Sequence, residues 1–407
     1  MPIDSYSAAN GDWNRRLNDA MPYGSSTCSK APSMLPDEPE VIIRGQGCRI
    51  WDDRGREFID FRNGLGPVTL GYRFPAVDDA IRRQLDSGIV FGHPHPLECE
   101  VAEMLRDVIP CAEQVRFLKT GGEAIAACIR IARAYTGRDH VIQIGYNGWV
   151  NSLASDGRVL PGQSATAAPP GVPAGLASLH HACAWSDLPG IERRFDALGG
   201  EVAAVVVAAD YRQIAAGAAF YPALRDLTAR RGAVLIFDEI VTGFRIARAG
   251  VQEYFGVMPD MAVFAKGIAN GLPLSAYVGS RELMQTLRRS VVSTTYGGDA
   301  LSLAGAKATL ETYRDHDVVA HLWHQGERLW PAVNRLLGDA GLPIRLEGFW
   351  PCPAWSFADA PLRERFLRAC YRRGLSLYDV CYVNFSHRDA DVIEAMLRFE
   401  KVCDDLK

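Results

Sequence analysis

Residues 232 to 271 decide the fold of this chain, and they read GAVLIFDEIVTGFRIARAGVQEYFGVMPDMAVFAKGIANG. The run from Ala233 to Phe237 is wholly apolar and rich in Val, Ile and Phe, which predicts a strand covered by helices on both faces. It ends at Asp238, and a second apolar run, Met261 to Ala265, ends in the same way at Lys266. Because open α/β sheets bind ligands where neighbouring strands end, the stretch predicts a site with one carboxylate and one amine.

A carboxylate and an amine in this arrangement suit pyridoxal 5′-phosphate (PLP). A buried lysine has a lowered pKa, so its amine can form a Schiff base with the cofactor aldehyde and later act as a base. The carboxylate pairs with the protonated pyridine nitrogen and keeps the ring an electron sink. Only six lysines occur, and Lys266 alone directly follows a buried-type run and precedes a glycine. We therefore predict Lys266 and Asp238 as the catalytic residues.

The segment from Leu235 to Met284 resembles the core of the class III aminotransferases, which have PLP fold type I, and most of all their glutamate-1-semialdehyde aminomutase branch. The resemblance extends over nearly the whole chain from about Glu40. It implies an α/β fold with a large domain, whose mainly parallel sheet is sandwiched by helices, and a small α/β domain formed by both termini. The expected divisions are an N-terminal arm with small-domain strands at 1–60, a large PLP-binding domain at 61–300 and a C-terminal small domain at 301–407.

A glycine-rich turn follows the predicted strand Val115 to Leu118 and precedes a helix. Unpaired N–H groups at a helix N-terminus form an anion site, and glycines leave the approach open. The turn resembles the family's Ser-Gly-Thr-Glu-Ala phosphate motif, which implies that Thr120, Gly121 and Gly122 bind the cofactor phosphate. Gly122 replaces the usual hydroxyl residue, so one side-chain bond to the phosphate is expected to be missing.

A second motif follows the predicted strand that ends at Gly145. Tyr146-Asn147-Gly148 resembles the family's Tyr-His-Gly, which implies that Tyr146 stacks on the cofactor ring and that Ile240 packs against the opposite face. The alternative is a core tyrosine whose hydroxyl is satisfied internally. Asn147 replaces the histidine, and we predict it as a candidate substrate contact.

The segment from Ser293 to Gly298 resembles the family's Thr-(Phe/Tyr)-Gly-Gly-Asn-Pro turn. In the dimers that it resembles, the threonine reaches the phosphate of the partner subunit. The resemblance therefore implies a homodimer with shared active sites, in which Thr295 is a cofactor contact. Asp299-Ala300 replaces the Asn-Pro of the motif.

The predicted activity is transfer of an amino group from an amino-acid donor, glutamate or glutamine, to the carbonyl of a sugar or aminoglycoside-type intermediate. In semialdehyde aminomutases an arginine of the N-terminal arm binds the substrate carboxylate, whereas aligning that arm with Met21 to Ser33 puts Lys30 there. Two alternatives stay open, an aminomutase or epimerase and a non-catalytic protein of the same fold. The long loop from Ser152 to Leu179 is expected to cover the site.

Composition excludes several other classes. The formal net charge is −4 and no long basic run occurs, so nothing indicates nucleic acid or an anionic membrane. No stretch approaches the roughly 20 apolar residues of a membrane span, and we expect a cytoplasmic protein. The ten cysteines have no CxxC pair, which argues against a zinc site and a disulfide framework. His93 and His95 have no accompanying ligand cluster, so no metal is predicted.

Further elements are predicted nearer the two ends. A short helix is expected at Trp13 to Ala20, and antiparallel strands on both sides of the Asp53-Arg54-Gly55 turn. The C-terminal part is expected to contain strands near Pro343 to Glu347 and Tyr382 to Ser386.

Overall fold

The protein is described by a computed structural model that covers residues 12–150, 159 and 169–407. Its described residues divide into two compact units: the smaller holds those up to Phe74 together with Ala320–Lys407, and the larger holds those within Pro75–Val319. The sequence prediction placed these divisions after residues 60 and 300. The amide of Phe61 donates to the carbonyl of Ser376 at 2.9 Å, so the residues that follow strand 57–60 pair within the first unit. Most of the predicted covering loop lies outside the described residues.

The helices are numbered in chain order. They are α1 Trp13–Ala20, α2 Pro75–Leu85, α3 Pro96–Val108, α4 Gly121–Thr136, α5 Ala174–Ala177, α6 Leu188–Ala197, α7 Ile214–Arg231, α8 Val251–Tyr254, α9 Arg281–Gln285, α10 Ala300–Asp315, α11 Val318–Asp339, α12 Ala360–Arg372 and α13 Asp389–Leu406. Short 3₁₀ helices occur at Pro22–Gly24, Cys28–Lys30, Asn63–Leu65, Lys266–Ala269 and Thr286–Arg288.

The strands are numbered in the same way. They are β1 Ile42–Gln46, β2 Arg49–Asp52, β3 Glu57–Asp60, β4 Gln114–Leu118, β5 His140–Ile144, β6 His180–Cys183, β7 Val202–Ala208, β8 Val234–Asp238, β9 Met261–Phe264, β10 Ser275–Gly279, β11 Ile344–Glu347, β12 Ala354–Phe357 and β13 Leu375–Ser376.

The larger unit is built on a seven-stranded sheet with the order β4-β10-β9-β8-β7-β5-β6. The pairs from β9 to β6 are parallel, and β10 runs antiparallel to both β4 and β9. Every residue of β8, β9 and β10 is buried, which is why these strands read as continuous apolar runs without alternation. The predicted α/β class with a mainly parallel sheet is confirmed.

Helix α4 covers the centre of this sheet. Its inward face, including Ile125, Cys128 and Ile129, belongs to a core cluster with β7, β8 and β9. Thr120 caps its N-terminus, and Gly137 ends it with φ 69°, a left-handed conformation that glycine adopts without steric cost. The helix therefore begins where β4 ends, as the glycine-rich turn predicts.

The smaller unit contains a four-stranded sheet, β1-β2-β3-β13, and the β11-β12 hairpin. The antiparallel β2 and β3 confirm the hairpin predicted around Asp53-Arg54-Gly55. The strand predicted at Tyr382 to Ser386 is wrong, because the sheet is extended by β13 instead. Those residues still bond as an extended connection, in which the Tyr382 amide donates to the Phe61 carbonyl at 2.7 Å and the Phe385 amide to the Thr69 carbonyl at 2.8 Å.

The cysteines and His95 have ordinary structural positions. Eight of the ten cysteines are buried and all ten are free thiols. His95 caps α3, where its Nδ1 accepts a hydrogen bond from the Leu97 amide at 3.3 Å. Within the described ranges, no group of three or more His, Cys, Asp or Glu side chains could hold a metal ion, and no helix is long and apolar enough to cross a membrane.

Candidate active site

The two predicted catalytic residues lie at the ends of neighbouring parallel strands. Asp238 is the last residue of β8 and pairs in register with Val263 of β9. Lys266 follows β9 and opens the Lys266–Ala269 3₁₀ helix with φ 45°. A left-handed backbone costs a non-glycine residue about 1–2 kcal/mol, and such strain occurs at functional sites. The sheet topology thus places the lysine at the same edge as the carboxylate.

The carboxylate of Asp238 is buried, with an exposed fraction of 8%. The amide nitrogen Nδ2 of Asn147 donates a hydrogen bond to Asp238 Oδ2 at 3.1 Å, and the backbone amide of Ile240 donates to Oδ1 at 3.1 Å. Burial raises the pKa of Asp238 to about 6, while these two donors and the positive charge of Lys266 oppose that rise. Both hydrogen-bond donors are neutral, so the positive charge that lowers the pKa of Asp238 is that of Lys266.

Asn147 has an orientation that its chemistry determines. An ionised carboxylate only accepts hydrogen bonds, so the amide must turn its NH₂ group toward Asp238. The side chain is 1% exposed, and its Oδ1 makes no hydrogen bond to any part of the chain that the structure describes. A buried acceptor without a partner costs free energy unless a ligand donates to it. The replacement of histidine by Asn147 therefore bears first on Asp238, and it gives no support to a particular substrate.

The glycine-rich turn is held by a reciprocal cap. The Thr120 hydroxyl accepts from the Glu123 amide at 3.3 Å, and the Glu123 carboxylate accepts from the Thr120 amide at 2.8 Å. A Cβ on Gly121 would lie 2.3 Å from Cδ1 of Ile240, and one on Gly122 would lie 2.9 Å from Cγ2 of Val150. Glycine at both positions keeps side chains away from the first turn of α4. The first amides of a helix have no carbonyl partner within the helix, so they can bind an anion.

The remaining predicted residues lie in different surroundings. Tyr146 lies two residues after the end of β5 and its side chain is exposed, so it is not the core tyrosine of the alternative interpretation. Thr295 lies in the exposed connection between Arg288 and α10. Lys30 is an exposed residue of the 3₁₀ helix Cys28–Lys30 in the smaller unit, whereas the other predicted contacts belong to the larger unit.

The buried Glu239 was missed by the sequence analysis. It accepts hydrogen bonds from the Val251 amide at 2.8 Å, the Gln252 amide at 3.1 Å and the Thr242 hydroxyl. Burial raises its pKa to about 7, and these donors and the nearby Asp238 modify that value in opposite directions. A Cβ on Gly250 would lie 2.1 Å from Glu239 Oε2. This carboxyl fixes the turn that enters α8, and its place beside Asp238 in the sequence was the available signal.

The sequence analysis also missed an ion pair between the residue before the glycine-rich turn and the motif that contains Thr295. The ammonium of Lys119, just before Thr120, forms an ion pair with the carboxylate of Asp299. Both side chains are mostly buried. The available signal in the sequence was Asp299, which replaces the Asn of the motif and carries a charge opposite to that of Lys119.

These side chains fit PLP. Asp238 offers a buried carboxylate, Lys266 a cation beside it, and Asn147 a buried acceptor that has no partner among the described residues. Gly121 and Gly122 form a turn in which a Cβ would collide with Ile240 or Val150.

Comparisons with known proteins agree with this geometry. The glutamate-1-semialdehyde 2,1-aminomutase of Desulforamulus reducens is 31% identical over 400 residues, which cover 91% of this chain and 92% of that protein. An omega-transaminase from Sphaerobacter thermophilus superposes with a TM-score of 0.87 at 26% identity, covering 98% of each chain. The PLP form of the FumI protein of Sphingopyxis sp. MTA144 superposes with a TM-score of 0.89 at 24% identity, over 97% of this chain and 95% of that one.

Residues 35–348 match the family model of Aminotransferase class-III. The fold is that of the PLP-dependent transferases of fold type I, and the cofactor is PLP. The chain is therefore a PLP-dependent enzyme that belongs to the class III aminotransferase family.

Proposed function

We propose that the protein is an aminotransferase that moves an amino group from glutamate or glutamine to the carbonyl of a sugar or aminoglycoside-type intermediate. The observation that supports the amino-transfer site is the buried Asp238, which has two neutral hydrogen-bond donors and lies at the strand end beside Lys266. A carboxylate so placed can hold a proton on a ring nitrogen, and an amine so placed can carry a proton to and from a substrate carbon.

The proposal assigns roles to the two catalytic residues and to the predicted cofactor contacts. Bound PLP supplies an aldehyde and an electron sink. Lys266 Nζ anchors the cofactor and moves the Cα proton of the amino donor, while Asp238 keeps the ring nitrogen protonated. The amides of Gly121 and Gly122, with the Thr120 hydroxyl, bind the phosphate. Tyr146 and Ile240 contact opposite faces of the ring.

We also propose a homodimer in which Thr295 reaches the partner's cofactor. Thr295 is exposed, and so are Tyr296 and Val291 in the same connection. The apolar residues Ile89, Val90 and Phe91 are exposed too, and the Ile89 carbonyl accepts from the Ala300 amide at 2.8 Å, next to that connection. Clusters of exposed apolar side chains mark interfaces between subunits.

The test of the site is Lys266→Ala. Without the amine, purified protein should lose the visible absorbance of bound cofactor and all turnover, while its circular dichroism stays that of the parent. Lys307→Ala is the matched control, because Lys307 makes a half-exposed ion pair with Glu100 at 2.7 Å and has no role in the proposed chemistry. Turnover at the parental rate in Lys266→Ala would remove this lysine from the proposal.

A second candidate, glutamate-1-semialdehyde aminomutase, is favoured by the 31% identity to the enzyme of Desulforamulus reducens. The sugar proposal depends on Lys30, an exposed residue whose point charge takes the place of the arginine fork that the resemblance implies for the aminomutases. Steady-state turnover should be compared for glutamate-1-semialdehyde and for an oxidised amino sugar with glutamate or glutamine. We expect conversion of the sugar with consumption of the donor. Conversion of the semialdehyde alone, without a donor, would establish the second candidate.

A further inference from the structure

Lys119 is surrounded by three acceptors, one at Pro273 and two in the first turn of α10. Its ammonium donates to the carboxylate of Asp299, to the Pro273 carbonyl at 2.9 Å and to the Ser302 hydroxyl at 3.2 Å. An ammonium has three N–H donors, so its hydrogen-bonding capacity is filled. The exposed fractions of the Lys119 and Asp299 side chains are 17% and 9%. This is a desolvated and fully bonded ion pair rather than a surface contact.

One end of the pair belongs to the glycine-rich turn. Lys119 follows β4 directly, and its backbone amide shares the Glu123 carboxylate with the Thr120 amide, at 3.3 Å and 2.8 Å. Lys119 therefore takes part in the cap that begins α4, next to Gly121 and Gly122.

The other end belongs to the connection that carries Thr295. Asp299 caps α10 by accepting from the Ser302 amide at 2.9 Å, and its own amide donates to the Tyr296 carbonyl at 3.2 Å. The turn from Tyr296 to Asp299 is thereby closed immediately after Thr295. A Cβ on Gly297 would lie 2.7 Å from the Phe117 carbonyl of β4, so this turn also lies against the strand that leads to Lys119.

We propose that Lys119 is a positioning residue that, through Asp299, holds two segments in place: the glycine-rich turn, which binds the phosphate of its own subunit's cofactor, and the Thr295 connection, which reaches the phosphate of the partner's cofactor. The inference rests on the proposed function, because that proposal assigns the phosphate to these two segments. Loss of either charge leaves the other desolvated and unpaired. Both segments then shift, although neither Lys119 nor Asp299 touches the phosphate.

The test compares Lys119→Met, Asp299→Asn and the double variant with the parent. Methionine keeps the length of the lysine stem, and asparagine remains a good N-cap for α10. Dissociation constants of the apoproteins are measured for PLP and for pyridoxal, which has no phosphate. Each single variant should bind PLP about tenfold more weakly and pyridoxal as the parent does, and the double variant should be no weaker than the worse single one. Lys307→Met, which removes another lysine ion pair with a residue of α3, should bind both compounds as the parent does.

Several outcomes would overturn the inference. Equal losses of affinity for PLP and pyridoxal would show a general loss of structure. A lowered melting temperature of the apoproteins with parental affinity for PLP would show that the ion pair only stabilises the fold. Additive losses in the double variant would show that the two charges act separately. If the parent does not bind PLP, the proposed function fails together with the inference. If the parent binds PLP more tightly than pyridoxal and every variant does so equally, the inference alone fails.

Discussion

At the scale of single residues, the buried Asp238 lowers the stability of the folded apoprotein at neutral pH. The pKa of Asp238 is raised to about 6 from its ordinary value of 3.8, with burial as the cause. A carboxyl whose folded pKa lies above its unfolded pKa stabilises the fold only while it is protonated. Its contribution is present below about pH 4 and is lost as the pH rises through about 6. Above that range the apoprotein carries a buried charge that the cofactor's ring nitrogen would neutralise.

Asp238→Asn should therefore stabilise the apoprotein and impair the enzyme. Above about pH 6 the variant should be more stable by about 1–3 kcal/mol, because the buried charge is gone, and near pH 4 the difference should vanish. Turnover should fall strongly, since a neutral amide cannot hold a ring nitrogen protonated. Urea unfolding of the two apoproteins across this pH range and half-reaction rates are the measurements.

Asn147→Ala is the control that separates charge from hydrogen bonding, because it removes a donor to Asp238 and leaves the carboxylate in place. It should not reproduce the stabilisation at neutral pH. A parental half-reaction rate in Asp238→Asn would contradict the assignment of this residue.

The sequence could show some of these residues and not others. Asp238 and Lys266 could be predicted because each directly follows an apolar run, a pattern that the local sequence shows. The donor to Asp238 lies in a loop after another strand, and sheet order rather than local pattern brings Asn147 there. The role of Glu239 could not be predicted for a related reason. Its partners Val251 and Gln252 are brought to it by a turn, which has no helical or strand periodicity.

At the scale of elements, the site depends on the start of α4. Gly121→Ala places a methyl group 2.3 Å from Cδ1 and 2.8 Å from Cγ1 of Ile240. Alanine is the better helix former by about 1 kcal/mol, whereas overpacking costs about 1–3 kcal/mol, so the net effect on stability should be small. Ile240 must move, however, and we expect PLP affinity to fall about tenfold. Titration of the apoprotein with PLP, beside its melting temperature, measures both effects.

Gly338→Ala is the matched control for that prediction. Gly338 lies in α11, and a Cβ there would have no atom of the described chain within 4 Å. It should gain a few tenths of a kcal/mol in stability from helix propensity and leave PLP affinity unchanged. Parental PLP affinity in Gly121→Ala would show that Ile240 does not contact the cofactor.

Elements were predictable where one physical signal dominated. The predicted helix from Trp13 to Ala20 matches α1, whose N-cap Asp12 accepts from the Arg15 amide. The segment from Tyr382 to Ser386 is apolar enough for a strand, yet its amides bond to Phe61 and Thr69, outside any sheet. Strand β13 has only two residues and pairs in parallel with β3. The paired residues Asp60 and Ser376 are 316 positions apart in the sequence. Such distant pairing leaves no local pattern.

At the scale of the whole molecule, the prediction concerns assembly. The larger unit exposes Val291, Tyr296 and Phe91 around the connection that carries Thr295. If these side chains are covered by a second copy of the chain, each site is completed by its neighbour. Cofactor affinity and self-association are then linked, because a ligand held by both subunits stabilises the dimer by mass action.

Dilution should therefore release PLP together with subunits, and Thr295→Ala should weaken PLP binding by about 1.5–3 kcal/mol, the contribution of a hydrogen bond to a charged group. Thr295→Ser is the matched control, since it keeps the hydroxyl and should bind PLP nearly as the parent does. Light scattering gives the mass while absorbance gives the cofactor content of the same sample. A mass of one chain with full cofactor occupancy would exclude the shared site, because a threonine that belongs to another subunit cannot hold the phosphate of a monomer.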